Sequence, residues 1–207
     1  MEKNNNVPEI VVARLPVYVK ALNLLLREGR SVVSSEELGK RLNMTSSQIR
    51  RDLSHFGGFG RKGKGYDIIT LMESLRDILN LNQIWQVLVV GVGHVGKGLL
   101  NYDGFSRQGF EIVAAFDSSD EVIGSEIGGI TIADIDELED YICASLVHIA
   151  AITVPAETAQ KVCDRLVNCG VKAILNYAPI LLEVPDEIQV SNIDPVLKLQ
   201  KMTYYLD

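Results

Sequence analysis

The apolar run Gln86-Val87-Leu88-Val89-Val90 leads directly into Gly91-Val92-Gly93-His94-Val95-Gly96 and then into a helix-like stretch from Lys97 to Asn101. No other segment constrains the fold as tightly, because a strand that turns through GxGxxG into a helix opens a βαβ unit. Its glycines have separable physical tasks. Gly91 permits the tight turn, Gly93 lets backbone N–H groups approach a pyrophosphate at a helix N-terminus, and Gly96 allows close packing of helix on strand. A lone GxGxxG is a weak signal. Here the next strand, Ile112 to Phe116, ends at Asp117, about 20 residues past the glycines, where an acid reaches the adenosine ribose and repels a 2′-phosphate. The expected ligand is therefore NAD(H) rather than NADP(H), held by Gly91 to Gly96 and Asp117.

Beyond Asp117 the alternation of short apolar runs and helical stretches continues. Strands are expected at Ile130–Ile132, within Leu146–Val154, at Ala173–Leu175 and at Ile188–Ile193, with helices from Ile135 to Tyr141 and from Ala156 to Asn168. This pattern predicts a doubly wound parallel sheet of the Rossmann type. Ligands of such sheets lie beyond the carboxyl ends of the strands. Thr153, Val154 and Pro155, and Asn176, Ala178 and Pro179, are thus candidates for the nicotinamide side, although both prolines also suit simple strand termination.

The 207 residues exceed what this unit needs and suit a smaller domain ahead of it. A net charge of −7 argues against a nucleic-acid partner only as an average. Residues 1–66 contain 12 Lys/Arg and 6 Asp/Glu, a balance of +6, which leaves −13 to the remainder. A basic module joined to an acidic one suits a DNA-binding domain attached to a domain with another task.

Within the basic part, Leu15 to Leu26 reads as a helix with Pro16 in its first turn and Gly29 as its stop. Ser34 with Glu37, and Thr45 with Gln48, are capping boxes that open two further short helices separated by Asn43-Met44. Leu38 and Leu42 face inward on the first, and Ile49, Leu53 and Phe56 on the second, which together spell helix-turn-helix. The face of the second helix opposite its apolar stripe carries Ser47, Arg51 and Ser54, flanked by Gln48, Arg50 and His55, with Ser46 at its start. Guanidinium forks and small hydroxyls on one face suit base edges and phosphates. Asp52 is the exception and is expected to pair with a neighbouring arginine or face the protein rather than meet DNA. The segment Phe56 to Tyr66 alternates glycines with Arg61, Lys62 and Lys64 and reads as a basic wing. Leu71 to Leu81 closes the domain.

No apolar stretch is long enough for a membrane helix, and no signal peptide is expected. Cys143, Cys163 and Cys169 form no CxxC and read as buried apolar groups in a cytoplasmic protein, with no metal site. An enzyme is not expected either. His55 lies in the basic module, His94 in the glycine loop and His148 in an expected buried strand, and no chain remains for a substrate lobe. The alternative is a small NAD-dependent oxidoreductase with an accessory basic domain.

The motifs Arg14-Leu15-Pro16, Ser46 to Ser54, Phe56-Gly57 with Gly63 to Tyr66, Gly91 to Gly96, Thr153 to Ala156 and Ile174 to Pro179 together resemble those of the Rex family of redox-sensing repressors, over essentially the whole chain. The resemblance implies a winged helix-turn-helix at 1–80, an NAD(H)-binding Rossmann domain at 84–193, and a C-terminal helix at 194–207 exchanged within a homodimer. It further implies that the dimer binds palindromic operator DNA and is released by NADH, so that NADH and NAD⁺ act as signal rather than reagent. Tyr102 and Asp194 match family positions that couple the domains. Their expected partner is an arginine in the first helix, where this chain has Lys20, which lacks the bidentate fork.

Overall fold

The computed structural model describes residues 7–59 and 65–206, so Arg61, Lys62 and Lys64 of the expected wing lie outside the described residues. The chain divides into two compact units, Met1–Gln83 and Ile84–Asp207.

The first unit contains α1 (Glu9–Val12), α2 (Leu15–Arg27), β1 (Val32–Val33), α3 (Ser35–Leu42), α4 (Ser46–Ser54), β2 (Tyr66–Asp67) and α5 (Ile68–Ile78). Spacings of three and four place Leu15, Tyr18, Leu22 and Leu25 on one face of α2, where they meet Leu38, Ile49, Leu53, Leu71 and Leu75 in a single core. The turn between α3 and α4 depends on two residues. Asn43 takes the left-handed conformation, which asparagine tolerates better than most side chains, with φ 54°. Gly39 lies so close to the turn that an added Cβ would stand 2.5 Å from the Met44 carbonyl oxygen.

Two local expectations are revised. Ser34 caps α3 by accepting the Glu37 N–H at 3.0 Å, but the Glu37 carboxylate does not complete the box; it pairs with Arg30 at 2.9 Å. Helix α5 starts at Ile68, ahead of Leu71, because Asp67 caps it by accepting the Thr70 N–H at 2.9 Å. The residue ahead of that cap, Tyr66, pairs with Val33 in a short antiparallel ribbon of β1 and β2.

The second unit contains β3 (Trp85–Val90), α6 (His94–Leu100), β4 (Phe110–Asp117), β5 (Glu126–Ile127), β6 (Ile130–Asp134), α7 (Leu138–Ser145), β7 (Ile149–Ile152), α8 (Ala156–Asn168), β8 (Ala173–Asn176), β9 (Gln189–Asn192) and α9 (Pro195–Thr203). Its sheet runs β5-β6-β4-β3-β7-β8-β9. Every neighbouring pair is parallel except β5 with β6, so the sheet is parallel but for an antiparallel edge that the hydropathy pattern did not reveal. Successive residues of β3 point to opposite faces. Leu88 and Val90 pack with Leu138 and Ile142 of α7 and Val162 and Leu166 of α8, while Val89 packs with Leu100 of α6 on the other face.

His148 is not in a buried strand. Pairing with β3 begins at Ile149, and His148 is exposed just before it. Of the cysteines only Cys163 is buried; Cys169 is half-buried and Cys143 exposed. No residue of α9 is buried. No helix among the described residues is long and apolar enough to cross a membrane.

Candidate dinucleotide site and nucleic-acid interface

Leaving out the β5 edge, the strands follow the order that reverses between β3 and β7, and ligands of doubly wound sheets bind at the carboxyl ends beside such a switch point. The glycine loop follows β3 and the Thr153 loop follows β7, so the topology brings these two candidate segments together. Thr153 joins them: its hydroxyl donates to the Gly91 carbonyl at 2.5 Å, and its N–H donates to the Val90 carbonyl at 2.8 Å.

The three loop glycines differ in what a side chain would meet. At Gly91, with φ 94°, a Cβ would lie 2.7 Å from a Val154 methyl and 2.8 Å from the Val154 nitrogen. At Gly96 it would lie 2.0 Å from the Gly91 carbonyl oxygen. Packing alone therefore requires both. A Cβ on Gly93 would meet nothing within 4 Å, and the φ of −72° there suits any residue. Gly93 is also the N-cap of α6 and offers no side-chain acceptor to the first helical N–H groups. Open space over uncapped N–H groups is what a phosphate-binding turn requires, so these residues fit an adenine dinucleotide.

Asp117 stands at the end of β4 and accepts the Val92 N–H at 2.5 Å and the Ser119 N–H at 2.9 Å. Its carboxylate thus braces the glycine loop. Two oxygens offer about four acceptor sites, so capacity for ribose hydroxyls remains. His94 and Val95 are exposed on the first turn of α6, whereas the Val92 side chain is buried in the core.

Asn176 ends β8 fully buried. Its amide nitrogen donates to the Ile180 carbonyl at 2.9 Å and to Asn192 Oδ1 at 2.8 Å, and its oxygen accepts the Ala178 N–H at 3.0 Å. The side chain therefore shapes the 176–180 turn from within, a role the sequence did not announce. Ala178 is buried, Thr153 and Val154 are half-buried, and Pro155 and Pro179 are exposed. Pro155 directly precedes α8 as its N-cap.

In the first unit Thr45 caps α4 by accepting the Gln48 N–H at 3.1 Å. Ile49 and Leu53 turn into the core, leaving Ser47, Arg50, Arg51, Ser54 and His55 exposed and Ser46 and Gln48 half-buried. Arg50 is held across the helix-turn-helix, donating to Ser35 Oγ at 2.9 Å and Ser47 Oγ at 3.3 Å. Behind this face Asp52 is buried and receives a fork from Arg14, at 2.6 and 2.7 Å, and the Tyr18 hydroxyl at 2.5 Å. Burial pushes the Asp52 carboxyl up, but the hydrogen bonds from Arg14 and Tyr18 outweigh it and hold the carboxyl below its usual value. The sequence expected a neighbouring arginine as partner for Asp52; the partner is instead Arg14, 38 residues away at the N-cap of α2, with Tyr18 one turn further on, a pairing visible only in three dimensions.

The three coupling candidates fall on both units. Lys20 is exposed on α2. Tyr102 follows α6, exposed and edge-on to Phe105 with ring centroids 5.6 Å apart. Asp194 caps α9 by accepting the Val196 N–H at 2.8 Å.

Residues 6–54 match the family described as "Putative DNA-binding protein N-terminus", and residues 82–180 match the CoA binding domain family. Coenzyme A and NAD share an adenosine diphosphate, the part a glycine loop of this kind contacts. The chain is 48% identical over 206 residues to the redox-sensing transcriptional repressor Rex of Roseiflexus sp. (strain RS-1), covering 100% of this chain and 94% of that one. It is 40% identical to the Rex repressor of Brevibacillus brevis (strain 47), with 100% of each chain covered. Among solved structures, RSP in complex with β-NAD⁺ and operator DNA matches with a TM-score of 0.92 at 35% identity, covering 98% of this chain and 94% of that chain. RSP in complex with β-NADH matches with a TM-score of 0.89 at 34% identity, covering 98% and 95%.

Proposed function

The chain belongs to the Rex family of redox-sensing transcriptional repressors, and from that premise we propose that it occupies palindromic operator DNA as a homodimer and leaves it when NADH binds. The observation that carries the ligand side is Gly93, whose missing Cβ opens onto free space at the switch point of the sheet while the flanking glycines are required by packing. Gly91 to Gly96 and Asp117 would hold the adenosine diphosphate half. Thr153, Val154, Pro155, Ala178 and Pro179 would line the nicotinamide end, with Asn176 shaping their turn. On the DNA side, Ser46, Ser47, Gln48, Arg51 and Ser54 of α4 and its C-cap His55 would face the major groove, and Arg50 would meet phosphate from its two serine braces. Arg61, Lys62 and Lys64 would add wing contacts to the backbone or minor groove.

The nucleotide acts here as a ligand. NADH and NAD⁺ share their adenosine contacts and differ in the charge and shape of the nicotinamide ring, so discrimination has to arise there. A ligand shifts an equilibrium only by its differential affinity for the two states. NADH is taken to favour an arrangement of the dimer in which the two α4 helices no longer fit successive major grooves. Lys20, Tyr102 and Asp194 would be the coupling residues of this scheme, with Lys20 offering a point charge in place of a fork.

The dimer reading is supported by α9. Val196, Leu199 and Tyr205 are 54%, 60% and 72% exposed in the single chain, an apolar surface of the kind a subunit exchange covers. A regulator rather than an enzyme is supported by two of the three histidines: His148 stands at the amino ends of the strands, far from the ligand loops, and His55 lies on the helix-turn-helix, while His94 belongs to the loop proposed for the adenosine diphosphate half. The reading is tested by adding NADH to the full chain bound to a palindromic duplex. Release supports it. Turnover of coenzyme with a reducible substrate, without any effect on DNA, would overturn it in favour of an oxidoreductase.

A further inference from the structure

Helices α7 and α8 both return from carboxyl to amino ends of parallel strands, so they run side by side in the same direction. One ion pair bridges them. Arg165 of α8 forks onto Glu139 of α7 at 2.5 and 2.6 Å and also donates to the Ile135 carbonyl at 2.7 Å. Parallel helices bridged at one level stay level one turn later, because residues four apart lie on the same face. Four residues past Glu139 is Cys143, and four past Arg165 is Cys169, the C-cap of α8. The Cys143 thiol lies near enough to the Cys169 thiol to push it up. Cys143 is exposed and Cys169 half-buried, so the pair is open to solvent on the Cys143 side.

We infer that Cys143 and Cys169 form a dithiol that hydroperoxides convert into an intramolecular disulfide tying α7 to α8. The step balances as follows. The Cys143 thiolate attacks the hydroperoxide, breaking the O–O bond to give a sulfenic acid and water or an alcohol. The Cys169 sulfur then displaces the sulfenic oxygen as water, leaving an S–S bond; two thiols are oxidised and one peroxide reduced. No group of three or more His, Cys, Asp or Glu side chains placed to hold a metal ion occurs among the described residues. Cys169 is not an activated thiol either. Burial, Cys143 and Glu139 push the Cys169 thiol up against the opposing pull of Arg165, so oxidation is slow compared with a dedicated peroxidatic cysteine. Cys163, buried one turn and a half earlier on α8 with its thiol pushed up to about 11, serves as the internal control. The pair lies toward the amino ends of the strands, and the glycine loop at their carboxyl ends, so the disulfide leaves the dinucleotide site as it is.

The test treats the full chain, reduced and then freed of reductant, with hydrogen peroxide for increasing times. Remaining thiols are blocked with an alkylating agent and the protein is mapped by mass spectrometry. The expected product is monomeric in chain number, is lighter by about 2 Da before blocking, and contains a Cys143–Cys169 cross-linked peptide with Cys163 still alkylated. Cys143→Ser and Cys169→Ser chains each fail to form it. NADH binding by the oxidised wild-type chain is expected to match that of the reduced chain. Persistence of all three alkylatable thiols, or addition of oxygen to Cys143 without a cross-link, would overturn the inference.

Discussion

Asp117 holds Val92: across 25 residues of sequence, one carboxylate oxygen accepts the Val92 backbone N–H at 2.5 Å, which fixes the glycine loop to the end of the neighbouring strand. The second oxygen fixes Ser119 at 2.9 Å. The acid that the sequence proposes as a ribose ligand thus also shapes the loop proposed to hold the phosphates. Hydrogen bonds to charged groups contribute about 1.5–3 kcal/mol each. Asp117→Ala is therefore expected to weaken NADH binding by at least about 10-fold, read by calorimetric titration, while binding to operator DNA without ligand persists. Undiminished NADH affinity would show that neither task depends on the carboxylate.

The glycines of the loop should separate into two classes. Gly91→Ala and Gly96→Ala place a Cβ against backbone at 2.8 and 2.0 Å and are expected to lower Tm. Gly93→Ala meets open space and should leave Tm unchanged but reduce NADH affinity. Parallel losses of Tm and affinity in all three variants would assign the loop to folding alone.

Arg51 is exposed on the face of α4 opposite the core. Arg51→Ala is expected to cost about 1–3 kcal/mol in operator binding if it reads a base edge, without altering NADH binding or Tm. Arg50→Ala should instead weaken binding across sequences and flatten the salt dependence. Fluorescence anisotropy at several salt concentrations distinguishes the two.

The Arg14–Asp52–Tyr18 cluster links stability to pH. A carboxyl held low in the folded state stabilises fully above its unfolded value of about 3.9, and that contribution is lost as pH falls through the folded value. Wild-type urea midpoints should therefore fall below about pH 4 more steeply than those of Asp52→Asn. At neutral pH Asp52→Ala is expected to cost about 3–5 kcal/mol, because it leaves Arg14 without its buried partner. Tyr18→Phe should cost about 1–3 kcal/mol.

Removal of α9 tests the dimer. A chain ending at Ile193 should run as a monomer in light scattering, where the full chain runs as a dimer, and should lose high-affinity binding to palindromic DNA. A dimer that survives the truncation would place the subunit contact elsewhere.

The sequence disclosed those parts of the fold that have a short repeat. The strand and GxGxxG of β3, the helix Ala156–Asn168 and the stripe of Ile49 and Leu53 are periodic within a few residues, so their positions could be read directly. What it did not disclose depends on contacts distant in sequence. The β5 edge is two residues long and carries no period. Asn176 reads as a loop residue until β9 brings Asn192 beside it. His148 seemed buried because the apolar run begins at Leu146, yet Leu146 adopts a left-handed conformation as the C-cap of α7 and the strand starts three residues later. Asp117 was found as an acid at the right distance, but its bond to Val92 requires knowing that β3 and β4 are neighbours.

The central claim is tested most directly by operator release. A palindromic duplex selected from a random library is labelled, saturated with the full chain at fixed salt, and titrated separately with NADH and NAD⁺ while anisotropy is followed. The account predicts that NADH releases the duplex at concentrations at least about 10-fold below any effect of NAD⁺, a coupling of more than about 1.4 kcal/mol. Equal release by both, or by neither, would contradict it.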